Sequence, residues 1–440
     1  MRKLASIRVC CHLAVLCTAI SSLRAETRFP MRFSFDAVET VPESRPVRPS
    51  DRYKPETGFG FDSASAVYPG AFPQGTSPVT TTPNDGVNPF FFSVRVPEGN
   101  YRVRVKTGNP SLPSETTVKS EARRLMTPSL ATEPGGFATI EFIANVRTPA
   151  IPGGGGVTLN NPRETVDKIA DWDEKLTLEF NGRHPRLVSL EIEPVDLPTV
   201  FILGDSTVSD QGNEPYASWG QMLPRFFKPT VAVANHAESG ESLARSTATR
   251  RLDKVLSLLK PGDFVLIQFG HNDMKSKAPD ALAQYRKSLE DWVDRIRKQG
   301  GLPVLVTSVH RHSFQGNSIA NSLRDYPETV RQVAKEKALP LIDLHASSKI
   351  LYEAFGPDRA RVLFKSDSPD DANFDHTHHN SFGAYEIARC VVNGIQDALP
   401  SLAQHLTKDL PRFDPARPDD PAAFPVPPSP GSSKEKPLGN

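Results

Sequence analysis

The sequence predicts two folded units of different class: an all-β sandwich over residues 27–195, then an α/β unit over residues 198–405 built on a parallel sheet. Three observations carry this. Up to residue 195, β-forming residues alternate or cluster in short runs cut by Asn, Gly and Pro. From residue 198, short and almost wholly apolar runs alternate with segments of helical periodicity. At 440 residues the chain is long enough for two or three domains.

The sandwich strands are read from "FFFSVRVPE", "YRVRVKTG", "ATIEFIANVRT", "KLTLEFNG" and "LVSLEIEPV". In "YRVRVKT", Tyr101, Val103 and Val105 share one face, and Arg102, Arg104 and Lys106 share the other. That is the pattern of a half-buried antiparallel strand with a basic, solvated side.

The second unit offers "TVFIL" (199–203), "TVAVA" (230–234), "FVLIQF" (264–269), "PVLVT" (303–307) and "PLIDL" (340–344) as strands. Between the third and fourth, Leu282, Tyr285, Leu289, Trp292, Val293 and Ile296 fall on one helical face. Strands this apolar are buried on both sides, as in a parallel sheet covered by helices. Ligands of such sheets bind at the carboxyl ends of the strands.

The two ends of the chain read differently. Basic residues Arg2, Lys3 and Arg8 precede an apolar run from Val9 to Ile20, with small residues and Ala25 after it. Residues 1–25 are therefore expected to be a signal peptide, too short in its apolar run for a membrane span. Its removal takes Cys10, Cys11 and Cys17, leaves Cys390 alone, and excludes an intrachain disulfide. The expected location is secreted or periplasmic, with no membrane contact after cleavage. Residues 411–440 are rich in proline and are expected to be a disordered tail. A net charge of +1 gives no basic excess with which to bind nucleic acid.

Chemistry gathers at the predicted strand ends. In "FILGDSTVSD" (201–210) an apolar strand runs into Gly204-Asp205-Ser206. A serine hydroxyl becomes a nucleophile only beside a base. "NFDHTHHNSFGAYEIA" (373–388) supplies one: Asp375 and His378, three apart, place a carboxylate beside an imidazole. "DFVLIQFGHNDMK" (263–275) puts Asn272, an amide donor, just past another strand end, after Gly270. A fourth segment, "VANHAESGES" (233–242), puts Gly240 just after another strand, where a backbone N–H can approach an oxyanion. Asp205 is expected to brace the serine turn. His376, His378 and His379 with Asp371 and Asp375 could instead hold a metal, but no helical His–His pair with a general-base Glu is present. In "SVHRHSFQGN" (308–317), Arg311 and His312 follow the fourth strand and could meet a uronate carboxylate; a solvated loop explains them equally well.

Together these blocks resemble the SGNH (GDSL-like) hydrolases, whose four namesake residues map onto Ser206, Gly240, Asn272 and His378. "GDST", "SWGQML" (218–223), "ESGESLARS" (238–246) and "DHTHHN" (375–380) further resemble rhamnogalacturonan acetylesterases. The resemblance implies a three-layer α/β/α, flavodoxin-like unit with a five-stranded parallel sheet. It implies a catalytic triad of Ser206, Asp375 and His378, and an oxyanion hole from Ser206, Gly240 and Asn272. It also implies a monomer that needs neither metal nor cofactor and deacetylates a pectin-type plant polysaccharide. Acetyl-xylan, another carbohydrate or lipid ester, or sugar binding without catalysis are the alternatives. "TTVKSEARRLM" (116–126), "GGVTLNN" (155–161) and "WDEKLTLEFNG" (172–182) resemble a galactose-binding-like module that precedes some of these esterases.

Overall fold

The computed structural model describes residues 28–35, 42–63, 89–167, 169–365, 374–408, 411–432 and 436–438. The expected signal peptide lies outside them. Among the described residues, ten strands form the first unit: β1 (Met31–Ser34), β2 (Arg45–Pro46), β3 (Phe59–Asp62), β4 (Phe90–Arg95), β5 (Gly99–Gly108), β6 (Ser114–Ser120), β7 (Arg124–Thr132), β8 (Phe137–Val146), β9 (Lys175–Asn181) and β10 (Ser189–Pro194). They make two five-stranded sheets, β2-β1-β10-β5-β8 and β3-β4-β9-β6-β7. Phe33, Val103, Val105, Leu190 and Ile192 of the first sheet share one buried core with Phe92, Val94, Val118, Leu176 and Phe180 of the second. Two sheets joined by such a core are a sandwich.

The outer face of β5 is basic, as its alternation predicts, but it is paired as well as solvated. Arg104 lies opposite Glu191 of β10 and Glu141 of β8 and bridges both, at 2.5 and 2.6 Å. Arg102 reaches Glu193 at 3.2 Å. Opposite charges facing across neighbouring strands favour this register over a slipped one.

The second unit is a five-stranded sheet built from β11 (Thr199–Gly204), β12 (Ala232–Asn235), β13 (Phe264–Gln268), β14 (Leu302–Val306) and β17 (Leu341–Ile342). A short hairpin, β15 (Phe314–Gln315) and β16 (Ser318–Ile319), stands apart from it. All pairings in the sheet are parallel and the order is β12-β11-β13-β14-β17. Alternate residues of β11 enter different cores. Val200 and Ile202 pack with Ile387, Val391 and Ile395 of the helix Ser381–Ala398. Phe201 and Leu203 pack with Leu289, Trp292 and Val293 of the helix Ala281–Lys298. Period-two side chains buried on both sides make three layers. In this strand order the crevice opens between the carboxyl ends of β11 and β13.

The proline-rich stretch corrects its expectation, because residues 411–432 pack across both units. Phe413 and Val426 join the core beneath the parallel sheet. Proline blocks helix but leaves its carbonyl free, and side chains of the folded units use those carbonyls. Lys119 Nζ donates to Pro427 O (2.9 Å) and Asn181 Nδ2 to Pro428 O (2.9 Å). Asn393 Nδ2 donates to Phe413 O (2.7 Å). The expectation of disorder missed the three apolar anchors, Phe413, Phe424 and Val426. Phe413→Ala should lower stability by about 3–5 kcal/mol, as for other buried Phe truncations. Chemical denaturation measures this, and limited proteolysis should cut first within 411–430 in the variant.

Candidate active site

Beyond β11 the chain turns sharply about Asp205. The Asp205 backbone carbonyl accepts from Val208 N and Ser209 N, both at 3.0 Å. Its carboxylate Oδ1 accepts from Thr207 N (3.0 Å) and Thr207 Oγ1 (2.8 Å). The hydroxyl of Ser206 is thereby held at the apex. Gln268 of β13 ties the turn down by donating Nε2–H to Thr207 Oγ1 at 2.7 Å. Burial pushes the Asp205 carboxyl up, but the adjacent His271 ring and Thr207 more than offset this and hold it below the ordinary value. Asp205 therefore braces the turn.

His378 arrives from the loop before the helix Ser381–Ala398. Asp375 fixes it: Oδ1 accepts from Thr377 N (2.9 Å) and His378 N (3.0 Å), and Oδ2 lies 2.9 Å from His378 Nδ1. On the other side of the ring, Nε2 lies 2.8 Å from Ser206 Oγ. An ionised carboxylate can only accept, so the ring proton belongs on Nδ1 and Nε2 is left to accept from the serine. All three side chains are buried. Ser206 and the distant Asp375–His378 pair thus form one hydrogen-bonded line.

Gly240 and Asn272 border the same turn. Gly240 has φ +80°, in the region that favours glycine, and Leu438 of the C-terminal stretch lies against it, 3.0 Å from where a Cβ would stand. Among the described residues, the backbone N–H groups of Ser206 and Gly240 donate to no backbone acceptor. Asn272 Nδ2 donates to Glu241 O at 2.9 Å, which couples this amide to the Gly240 loop. Gly270, at φ +150°, lets the Asn272 loop close on Ser308, whose Oγ would stand 2.8 Å from a Cβ there.

Arg311 and His312 both make contacts within the protein. Arg311 is turned inward: Nε donates to Thr377 Oγ1 (3.2 Å) and Nη2 to His271 O (3.4 Å). It bridges the Asn272 and His378 loops. His312 bonds Pro357 O through Nε2 (2.9 Å) and packs its ring among Phe314, Phe364 and Phe374. The other histidines of the "DHTHHN" block diverge, His379 to Tyr352 Oη (2.6 Å) and His376 to His312 O (3.0 Å). Asp371 lies outside the described residues.

Sequence reasoning missed Gln211, whose Nε2 donates to Ser206 O at 2.8 Å. It also missed Arg123 and Arg124 of the sandwich, which reach the same loop. The available signal was an adjacent arginine pair inside an apolar, strand-rich stretch.

Comparison with known proteins agrees with this geometry. The GDSL-like lipase/acylhydrolase family matches residues 202–384. Rhamnogalacturonan acetylesterase RhgT of Bacillus subtilis strain 168 is 39% identical over 216 residues, 47% of this chain and 93% of the relative. The uncharacterized esterase YxiM of the same organism is 26% identical over 397 residues, 86% of this chain and 93% of the relative. The crystal structure of YxiM has 24% sequence identity, covers 83% of this chain and 98% of its own, and has a TM-score of 0.44. With serine, imidazole and carboxylate in line at the ends of a parallel sheet, and with a relative of this identity matched over nearly its whole length, the chain belongs to the GDSL-like lipase/acylhydrolase (SGNH) family of carboxylic ester hydrolases.

Proposed function

We propose that the protein is a secreted or periplasmic carbohydrate acetylesterase whose substrate is an acetylated pectic polysaccharide, rhamnogalacturonan first. The observation that carries the chemistry is the line Ser206 Oγ, His378 Nε2, His378 Nδ1, Asp375 Oδ2, with gaps of 2.8 and 2.9 Å. Support for the sugar comes from RhgT, at 39% identity. Support for export comes from the basic and apolar pattern of the first 25 residues.

In this reading the Ser206 hydroxyl attacks the acetyl carbonyl carbon as its proton passes to His378 Nε2. Asp375 keeps the ring aligned and stabilises the imidazolium. Negative charge collects on the carbonyl oxygen, where the N–H groups of Ser206 and Gly240 and the Asn272 amide meet it. Collapse breaks the bond to the sugar oxygen, which takes the proton from His378, and leaves acetyl-Ser206. Water then attacks with His378 again as base, releasing acetate and the serine.

Asp273 keeps the donor side of this site free of negative charge. Its Oδ1 accepts from Leu243 N at 2.9 Å, and Oδ2 has no hydrogen-bond partner among the described residues. Burial pushes its carboxyl up to about 7, against the lowering effect of the Leu243 bond. Below that pH the group is neutral beside Asn272, where an anion would oppose the developing oxyanion.

Three outcomes are expected. Ser206→Ala abolishes release of the chromophore from a chromogenic acetyl ester, and Asn272→Ala lowers kcat by about 10²–10³-fold. Acetate release is fastest from acetylated rhamnogalacturonan, compared with homogalacturonan and xylan; equal, poor release from all three would count against the pectic assignment. The third outcome concerns pH. A carboxyl raised in the folded state binds its proton more tightly there, so its contribution favours the fold at low pH. That contribution is lost as pH rises from about 4, the unfolded value, to about 7. Asp273→Asn should flatten this decline, so that melting temperatures of variant and wild type diverge in the variant's favour toward pH 8.

A further inference from the structure

We infer that the β-sandwich completes the catalytic site, with Arg123 and Arg124 acting as positioning residues for Ser206; this rests on the esterase reading above. The turn between β6 and β7 enters the α/β unit. Glu121 and Arg123 adopt φ of 54° and 65° there. This backbone, unusual for non-glycine residues, points two consecutive arginines into the partner unit. Leu125, next in the chain, packs in the core with Trp219 and Met222 of the α/β unit.

Both guanidinium groups are almost fully buried. Arg124 donates Nε–H to Asp210 Oδ2 (2.6 Å), Nη1–H to Asn145 O (2.8 Å) and Nη2–H to Asp171 Oδ1 (3.2 Å). Arg123 donates from Nη1 to Gln211 O (3.2 Å) and Tyr216 O (2.9 Å), and its Nη2 pairs with Glu214. Asp210 and Gln211 end the loop that Ser206 begins. Asp210 Oδ1 accepts from Asn235 Nδ2 (2.8 Å), and that amide also donates to Val208 O (2.8 Å). Gln211 Nε2 returns to Ser206 O at 2.8 Å and to Ser239 Oγ at 3.2 Å, beside Gly240. A continuous run of hydrogen bonds therefore leads from the sandwich to the nucleophile's own peptide and to the Gly240 loop.

Packing alone does not call for this arrangement, since apolar side chains of similar size fill buried space at lower cost. What arginine adds is a rigid, directional fork that fixes carbonyl and carboxylate positions. Fixing residues 206–211 fixes the Ser206 hydroxyl relative to His378 and the Ser206 N–H relative to the oxyanion. A displacement of about 1 Å there can cost on the order of a hundredfold in turnover without weakening substrate binding.

The test uses the full chain and a small chromogenic acetyl ester, well below each variant's melting temperature. Arg123→Lys, Arg124→Lys and Gln211→Leu should lower kcat by roughly tenfold to a hundredfold with KM within about twofold. Phosphonylation of Ser206 by a fluorophosphonate probe should slow in parallel. If an arginine variant fails to fold, Gln211→Leu decides, because it cuts the same link inside the α/β unit. Combining Arg123→Lys with Gln211→Leu should give a loss near that of the stronger single variant. Wild-type kcat and phosphonylation rates in folded single variants, or losses that multiply in the double variant, would overturn the inference while leaving the esterase reading intact. Absence of Ser206-dependent hydrolysis in the wild type would instead remove the reading on which it stands.

Discussion

A buried polar group must find its hydrogen bonds inside the protein, and this constraint shapes the whole carboxyl edge of the parallel sheet. Ser206, Asp205, Asp375, His378 and His271 are all at most 1% exposed. Little of their surface meets water, so a conformation that breaks these bonds leaves buried donors or acceptors unpaired. That penalty gives the loops their single arrangement. The same exclusion of water strengthens the bonds that remain, because the local dielectric is low.

Two carboxylate–imidazole pairs meet at this edge, and their surroundings assign them different work. His378 has Asp375 at 2.9 Å on one nitrogen and the serine at 2.8 Å on the other. His271 Nδ1 lies 3.3 Å from Asp205, and its Nε2 has no partner among the described residues. Burial holds the His271 ring below its ordinary value, only partly offset by Asp205. The contact between this ring and Asp205 stiffens the serine turn. One aspartate thus serves the base and the other serves the backbone, although both stand within a few residues of reactive groups.

What could be read from the sequence was local. The apolar run ending in Gly204-Asp205-Ser206, the Asp375 and His378 spacing, and the alternation in β5 each declare themselves within ten residues. Cover on both faces of the sheet also followed, because strands this apolar need it, whereas the strand order is known only from the structure. The unread features depend on partners far along the chain. Arg124 meets Asp210, Lys119 meets Pro427, and Arg311 meets Thr377. Taken alone, arginine, lysine and proline suggest solvent, so a solvated loop explained Arg311 as well as a substrate contact did, and composition assigned residues 411–440 to disorder. Only the folded topology shows that these residues cross between elements, where a long side chain or a donor-free backbone is an advantage.

The arginine-bearing turn also bears on how such a chain can be inherited. A sandwich joined only by a linker could be exchanged for another by recombination, leaving its neighbour unharmed. Here Asp210 and Glu214 stand in the interior against guanidinium groups supplied by the other unit. Substituting a foreign module would strip those carboxylates of their counter-charge. A replacement module would preserve the interior charge balance only if it brought cations to the same two places.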